Sequence, residues 1–283
     1  MVEQLRKKAK ELLKNKKVEV IIGYQKSNSN SLTTPCFIET GDEVSRLIWD
    51  EHCVYNLSLY LKEIKGSVGI VAKGCDVKSI VALIQEKQIE RERVKIIGVE
   101  CQAQVDEKGQ ILEKCQVCQV HIPGVYDELV KSKAPPSTSE AKEPDKEYGS
   151  VEKFEAKSTP ERWEFWQREF EKCIRCYACR QVCPLCYCSE CISEKTEPQW
   201  ILPSPSLRGN TTWNIVRAFH LAGRCIDCGE CERVCPVNIP LRKLNKKMEK
   251  EIKTMFNYVP GLDAGEKPPL LDFRVDDPEE FIR

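Results

Sequence analysis

The sequence lacks the motifs that mark the common nucleotide-binding and hydrolytic enzymes. It contains no G-x-G-x-x-G, no G-x-x-x-x-G-K-[ST] and no G-x-S-x-G, which are the signatures of a dinucleotide site, a phosphate loop and a nucleophile elbow. The run VGIVAKG has glycines near the end of a strand-like segment, but it does not match the dinucleotide pattern. We therefore identify no catalytic residue and no motif for bond-making chemistry.

Net charge and long apolar runs are also absent. The 283 residues include 44 Lys and Arg and 44 Asp and Glu, so no field of one sign attracts nucleic acid or an acidic membrane surface. No stretch approaches the roughly 18 apolar residues of a membrane-spanning helix, and the charged N-terminal segment has no apolar signal core. We expect a cytoplasmic protein without a nucleic-acid partner and without membrane insertion.

Cysteine, by contrast, is abundant, with 17 residues. Disulfides would explain such a number in a short secreted protein, but this chain is long, its cysteine count is odd and it has no signal core. Metal ligands and reduced thiols are the better interpretation. This interpretation implies an anaerobic or strongly reducing setting, because oxygen damages exposed iron–sulfur clusters.

Two segments repeat the spacing C-x2-C-x2-C-x3-C-P, at residues 173–184 and 225–236. This spacing holds a 4Fe–4S cluster, and in paired copies the fourth cysteine ligates the other cluster. A single copy would also suit zinc or chance, whereas two complete copies with both prolines indicate a two-cluster ferredoxin module. The predicted ligands are Cys173, Cys176, Cys179 and Cys235 for the first cluster and Cys225, Cys228, Cys231 and Cys183 for the second.

Two apolar runs, at residues 67–75 and 94–101, flank a helical segment with a regular apolar stripe. The pattern predicts a β-α-β unit with parallel, adjacent strands, and Asp76 is placed to cap the helix. Cys75 and Cys101 follow the two strands, at the sheet edge where open α/β folds bind ligands. Two further cysteines have metal-ligand spacing, so the four predict a third 4Fe–4S cluster or a tetrahedral zinc site. This set is Cys75, Cys101, Cys115 and Cys118.

The segment between the two motifs departs from a minimal two-cluster ferredoxin. Its thiols, Cys186, Cys188 and Cys191, are one short of a full ligand set. They are predicted to recruit a fourth ligand such as Cys36, to bind zinc or to stay free, and these alternatives remain open. These three thiols follow Cys183 closely in the sequence. A further alternative is therefore that Cys183 joins them instead of ligating the second ferredoxin cluster.

Local patterns predict the remaining elements of the N-terminal half. Residues 2–16 have the composition of a charged helix, residues 18–24 that of a buried strand, and residues 41–64 show helical spacing. The polar segment before Cys36 is predicted to be a loop. Cys53 is expected to be a small buried hydrophobe.

A helix is predicted to lead into the first motif, with Thr159 as its cap ahead of a proline. Its spacing places Trp163, Trp166 and Phe170 on the face that ends at Cys173. These aromatic side chains are predicted to shield the first cluster from water, and filling the core is the parallel interpretation.

Composition divides the chain into four parts. Residues 1–130 predict a small α/β domain with a mostly parallel sheet, and the segment 131–158, rich in Pro, Ser and charge, predicts a linker. Residues 159–250 predict an α+β, ferredoxin-like domain with helical flanks for the two clusters, followed by an extended tail at 251–283. The helix ahead of the second motif is predicted to have Ile215, Phe219 and Leu221 as its apolar residues.

These features resemble the iron–sulfur beta subunits of deazaflavin-linked hydrogenases and formate dehydrogenases. The resemblance is carried by VAKGCDVKSIVALI, IIGVEC and KCQVC in the N-terminal half, then by CIRCYACRQVCPLCYCSEC and the second ferredoxin motif. It covers most of residues 18–125 and 160–245 and implies an α/β beta-subunit domain paired with a two-cluster ferredoxin domain. The ligands that it implies for a further cluster are Cys75, Cys101, Cys115 and Cys118.

The resemblance implies a relay subunit of a multisubunit oxidoreductase. The implied partners are a catalytic subunit of the formate dehydrogenase, hydrogenase or aldehyde oxidoreductase type and a flavin-bearing partner such as a heterodisulfide-reductase-type subunit. Similar full-length subunits continue after the CxxC pair with a longer segment that helps to form a flavin and deazaflavin pocket. This chain instead enters its predicted linker soon after Cys118, so FAD is an alternative cofactor rather than the expected one.

Single-electron transfer is therefore the predicted function, with the potential of each cluster set by its charge, the hydrogen bonds to its sulfurs and its burial. One alternative is a flavin-containing subunit that itself exchanges hydride with a deazaflavin or a nicotinamide. A second alternative, from another class, is a zinc-stabilised scaffold subunit. Flavin absorbance distinguishes the first alternative, and a brown, reducible colour distinguishes iron–sulfur clusters from zinc.

Overall fold

Two compact units form the chain. The computed structural model describes residues 1–27, 32–132, 147–273 and 275. The units consist of Met1–Glu143 with Gly261–Glu266 and of Pro144–Pro260 with Lys267–Arg283. The first unit contains the segment predicted to be an α/β domain, and the second contains both ferredoxin motifs.

The first unit is built on a five-stranded sheet. Its strands are β1 (Val20–Lys26), β2 (Thr33–Ile38), β3 (Val68–Ala72), β4 (Val94–Val99) and β5 (Glu128–Val130). The spatial order is β2-β1-β3-β4-β5, with β1 and β2 antiparallel and the other neighbours parallel. All of β3 and nearly all of β4 are buried, as apolar strands of a parallel sheet covered on both faces should be. The predicted α/β class with a mostly parallel sheet is confirmed.

The helices of the first unit are α1 (Val2–Lys14), α2 (Gly74–Gln85) and α3 (Glu113–Gln116). The first turn of α2 is fixed by Asp76, whose carboxylate accepts a hydrogen bond from the Lys73 backbone N–H at 3.1 Å. Asp76 was predicted to precede the helix, but α2 begins at Gly74, so Lys73 is the N-cap residue and Asp76 acts from inside the first turn. Because β3 and β4 are parallel neighbours joined through α2, Cys75 and Cys101 lie at the carboxyl ends of adjacent strands.

The helical spacing predicted for residues 41–64 does not produce an α-helix. The segment forms two short 3-10 turns, Glu43–Arg46 and Leu57–Lys62. Between them Ile48 pairs with Tyr24 in an isolated antiparallel bridge. The Ile48 backbone N–H donates to the Tyr24 carbonyl at 2.9 Å and is therefore not available for a hydrogen bond within a continuous helix. Tertiary context overrides the local spacing here.

The loop predicted before Cys36 is in part a strand. Residues 28–31 lie outside the described part of the chain, but β2 begins at Thr33 and places Cys36 opposite Gly23 of β1. Pro35 lies within β2, and an edge strand tolerates a proline because one of its sides makes no ladder hydrogen bonds. β2 occupies such an edge.

The second unit is helical over the described residues 147–260, where the sequence had predicted an α+β arrangement. In both motifs the cysteine loop runs directly into a four-residue helix, and longer helices occupy the segments that flank the motifs. Its helices are α4 (Gly149–Glu155), α5 (Thr159–Glu171), α6 (Ala178–Gln181), α7 (Leu207–His220), α8 (Glu230–Arg233) and α9 (Leu241–Phe256).

The boundaries of this unit differ from the predicted ones. Helix α4 lies inside the segment predicted to be a linker, where Glu155 accepts a hydrogen bond at 2.6 Å from Lys250 of α9. Residues 133–146 of that segment are not among the described residues. Helix α5 is capped one residue earlier than predicted, because Ser158 and Glu161 hydrogen-bond each other's backbone N–H. Helix α9 ends at Phe256, beyond the predicted start of the tail.

Across the described ranges, no helix is long and apolar enough to cross a membrane.

Candidate metal centres

The cysteine loops of the two ferredoxin motifs have the same backbone geometry. In each loop the residues two and four positions after the first cysteine are left-handed: Arg175 and Tyr177, both with φ of 58°, and Asp227 and Gly229, with φ of 58° and 72°. Residues that alternate between right- and left-handed conformations turn successive N–H groups toward one side and form concave anion sites, including many iron–sulfur sites. The sequence repeat is therefore a structural repeat, followed each time by a short helix, α6 or α8.

In each loop, the side chain two residues after the first cysteine holds the loop in place. The buried Arg175 donates hydrogen bonds to the carbonyl oxygens of Gly209 at 2.7 Å and Leu202 at 2.9 Å. At the equivalent position Asp227 accepts two hydrogen bonds from Arg242 of α9, at 2.7 Å and 2.8 Å. The bidentate Asp227–Arg242 pair fixes geometry as well as supplying energy, so the second loop is tied to α9, and Arg175 ties the first loop to α7 through Gly209.

The second predicted ligand set lies around one cavity. Cys183 of the first motif lines it together with Cys225, Cys228 and Cys231 of the second, and the wall includes the apolar side chains of Leu185 and Ile226. The structure thus brings together the four thiols expected when paired motifs exchange their fourth cysteine. Their assignment as ligands stays a prediction, and this shared cavity supports it.

The first predicted set lies against an apolar cluster. Cys179 belongs to a buried group with Phe170 and Trp213, and Cys173 and Cys235 pack against that group. Cys176 is exposed. Cys235 follows the second motif's short helix, so the first set also combines cysteines from both motifs.

The predicted aromatic shield is present in part. Trp166 stacks on Phe170 with ring centroids 5.3 Å apart, and both pack in the cluster that holds Cys173 and Cys179. Trp163, in contrast, is 48% exposed. Two of the three aromatic side chains therefore limit water near the first set, which bears on cluster lifetime and potential.

N–H groups point at sulfurs in both sets. The Ile239 backbone N–H donates to Cys235 Sγ at 3.4 Å, and the Asn245 side chain donates to Cys231 Sγ at 3.5 Å. Hydrogen bonds to ligand sulfur withdraw electron density and tune a cluster's potential. Sequence reasoning missed Asn245 because nothing in α9 relates it to the cysteine spacing.

The four N-terminal cysteines are brought to the same edge of the sheet. Gln104 links two of them, since its backbone N–H donates to Cys115 Sγ and its side-chain amide to Cys101 Sγ, each at 3.3 Å. Burial raises the pKa of Cys75 and of Cys101 to about 12, and the charge of Cys118 acts on Cys75. These thiols need a bound cation to become thiolate ligands near neutral pH.

A buried cation lies beside this N-terminal set. Lys73 donates to the Tyr24 hydroxyl and the Tyr55 carbonyl, both at 2.6 Å, and to the Asp76 carboxylate at 3.0 Å. Burial works to lower the pKa of Lys73, but Asp76 and Tyr24 raise it well above its ordinary value. The lysine therefore stays charged next to Cys75.

Close packing at Gly74 positions the loop that carries the CxxC pair. A Cβ on Gly74 would lie 2.1 Å from the Val120 carbonyl oxygen, far inside contact distance. We expect Gly74→Ala to push this loop away and to remove the metal of the N-terminal site, about four irons if it is a cubane.

Metal analysis of Gly74→Ala checks this expectation, with Gly124→Ala as the matched control, because a Cβ at Gly124 meets nothing within 4 Å. A Gly74→Ala protein with the full wild-type metal content would contradict the placement of the site.

The cysteines of the insert lie in different surroundings. The Cys186 backbone N–H donates to the Cys183 carbonyl at 3.1 Å, the Cys191 sulfur accepts a hydrogen bond from the Ser193 hydroxyl at 3.3 Å, and Cys188 is exposed. Cys36 is buried on β2 of the first unit. A metal site built from these four cysteines stays a prediction.

The donor chemistry of the second set fits a 4Fe–4S cluster, because four thiols and apolar side chains line its cavity. Within the described residues, no three His, Cys, Asp or Glu side chains are gathered closely enough to hold a single metal ion. Cubane ligation does not require that arrangement, since each cysteine binds a different iron at a corner of the cluster.

Comparisons with known proteins agree with this chemistry. Residues 172–240 match the family described as a 4Fe-4S dicluster domain. The chain is 24% identical to the F420-dependent formate dehydrogenase subunit beta of Methanocaldococcus jannaschii, over 93% of this chain and 92% of that protein. The resemblance to iron–sulfur beta subunits is confirmed. A second relative, the F420-dependent formate dehydrogenase 1 subunit beta of Methanococcus maripaludis, is 32% identical over 38% of this chain and 27% of its own length.

The dicluster match and these relatives support an electron-transfer iron–sulfur subunit of an oxidoreductase. The alignment with the M. jannaschii protein spans 357 positions, more than the 283 residues of this chain. That beta subunit therefore contains segments that this chain lacks.

Proposed function

We propose that this chain relays single electrons through iron–sulfur clusters within a multisubunit oxidoreductase. The observation that carries the proposal is the repeated loop geometry that gathers Cys183 with Cys225, Cys228 and Cys231 around one cavity. A bound 4Fe–4S cluster accepts and releases one electron without a change of ligands. The chain's own part is to hold the thiols, exclude water and direct N–H groups at sulfur.

We also propose a third 4Fe–4S cluster in the first unit, held by Cys75, Cys101, Cys115 and Cys118. Their position at the carboxyl edge of a parallel sheet and the hydrogen bonds from Gln104 to two of the sulfurs support it. Tetrahedral zinc uses the same donors and is the alternative.

The partners follow from the relatives. Both are beta subunits of formate dehydrogenases, which supports a catalytic partner subunit for this chain. A flavin-bearing partner, such as a heterodisulfide-reductase-type subunit, completes the proposed route. Formate dehydrogenase, hydrogenase and aldehyde oxidoreductase types remain the candidate catalytic partners, and a cytoplasmic location stays a prediction.

The test is anaerobic purification followed by absorbance and electron paramagnetic resonance before and after dithionite. We expect a brown protein whose colour bleaches on reduction and returns on reoxidation, with signals of reduced 4Fe–4S clusters. The double variant Cys176→Ser/Cys228→Ser, with one cysteine of each motif replaced, should lose most of this absorbance. Cys53→Ser, at a cysteine that is buried near Asp50 and belongs to no predicted set, should keep it.

Two other functions have distinct readouts in the same experiment. Stoichiometric flavin released by heat would support a subunit that itself exchanges hydride with a deazaflavin or a nicotinamide, with FAD as its cofactor. A colourless protein that contains zinc would instead support the scaffold function and rule out the electron relay.

A further inference from the structure

A cationic side chain is buried between the two ferredoxin motifs. Arg217 of α7 is only 4% exposed. One of its terminal nitrogens donates to the Cys179 carbonyl oxygen at 2.9 Å. Its Nε is buried and makes no hydrogen bond within the described structure.

The surroundings of Arg217 are sulfur rather than carboxylate. It lines the cavity of the second ligand set, beside Cys183 and Cys231. Among the described residues it has no salt-bridge partner, because the nearby Asp227 accepts hydrogen bonds from Arg242 instead. Burial works against its charge, but the surrounding cysteines raise the pKa of the guanidinium above its ordinary value.

A buried guanidinium without a counter-charge is strongly unfavourable, and arginine does not lose its proton in proteins. The site must therefore supply negative charge. A cubane with four thiolate ligands is a net anion and gains one more negative charge on reduction. A fixed positive charge beside it stabilises the reduced form more than the oxidised form.

We propose that Arg217 is the counter-charge of the cluster held by Cys183, Cys225, Cys228 and Cys231, and that it raises the reduction potential of that cluster. This inference rests on the proposed electron-relay function. Because Arg217 also contacts the Cys179 carbonyl, the first cluster should respond in the same direction but less strongly. The guanidinium thereby raises the second potential relative to the first.

The test is an anaerobic redox titration of both clusters, followed by electron paramagnetic resonance, in wild type, Arg217→Met and Arg217→Lys. Arg217→Met should lower the equilibrium constant for reduction of the second cluster at least tenfold, which is about 59 mV for one electron. Arg217→Lys keeps the charge and should remain close to wild type. Arg208→Met removes an exposed arginine of the same helix and should change neither potential.

Each other outcome of this titration either supports or overturns the role of Arg217 as counter-charge. Arg217→Met with full iron content and an unchanged second potential overturns the proposal. If Arg217→Met fails to retain iron, Arg217→Lys decides: retention with near-wild-type potentials supports a counter-charge, whereas loss in both variants assigns Arg217 a packing role and overturns it. A wild-type protein without clusters would reject the proposed function itself, and that result is seen before any variant is made.

Discussion

Replacing Cys183 with serine should destroy the cluster of the second motif and spare the cluster of its own motif. In sequence Cys183 ends the first motif, but in the structure it lines a cavity with Cys225, Cys228 and Cys231. Because a cubane needs four ligands and serine is a poor one, we expect the loss of about four irons per chain. Iron analysis and electron paramagnetic resonance of the reduced protein measure the loss.

Two reference variants identify which cluster is lost. Cys228→Ser removes a ligand that belongs to the second set, and Cys176→Ser removes one from the first. The spectrum of Cys183→Ser should match that of Cys228→Ser. A match to Cys176→Ser would show that Cys183 binds the cluster of its own motif, and would refute the exchanged pairing.

Cys186 needs a separate control because it lies three residues after Cys183, where its backbone N–H donates to the Cys183 carbonyl at 3.1 Å, and its thiol is a candidate to replace that of Cys183. The double variant Cys183→Ser/Cys186→Ser excludes this rescue. If the single variant keeps its iron and the double variant loses it, Cys186 is a reserve ligand of the second cluster. Cys188→Ser, which changes an exposed thiol of the same insert, should keep the wild-type iron content.

The second large effect is expected for Cys101→Ser in the first unit. Cys101 follows β4, its sulfur accepts a hydrogen bond from Gln104, and the charges of Cys75 and Cys115 act on it. Losing this ligand should remove about four irons if the site is a cubane, while both ferredoxin signals stay. Elemental analysis together with electron paramagnetic resonance measures both.

Cys53→Ser is the matched control for Cys101→Ser. It also replaces a cysteine of the first unit, but Cys53 contacts Asp50 rather than another thiol. Cys53→Ser should keep all its metal. Equal iron content in Cys101→Ser and wild type would show that the first unit holds no third cluster. Loss of zinc instead of iron would show that the site binds structural zinc.

The parts of the fold that the sequence predicts are those coded by local spacing. The β3-α2-β4 unit follows from two apolar runs around a helical stripe, and Asp76 stabilises the first turn of α2, although from inside the helix rather than ahead of it. The cysteine repeat likewise coincides with two loops of one geometry, which have left-handed residues at equivalent positions. In each case the residues that fix the structure are neighbours in the chain.

Features that depend on distant contacts were not predictable in this way. The stripe of α7 was expected to include Phe219, yet that side chain is 60% exposed, and the buried face instead carries Asn210, Trp213 and Arg217. The available signal was that Arg217 lies four residues from both Trp213 and Leu221, on one helical face. From sequence alone, a charged residue such as Arg217 is expected to face solvent unless an anionic neighbour is known. The neighbouring thiols, Cys183 and Cys231, come from other parts of the chain.

The most direct test of the central claim is the amount of iron and acid-labile sulfide per chain after anaerobic purification. We expect about twelve irons with an equal amount of sulfide, for two ferredoxin clusters and a third in the first unit. About eight would leave the relay in the second unit and exclude the N-terminal cluster. A protein with zinc and no labile sulfide would contradict the account altogether.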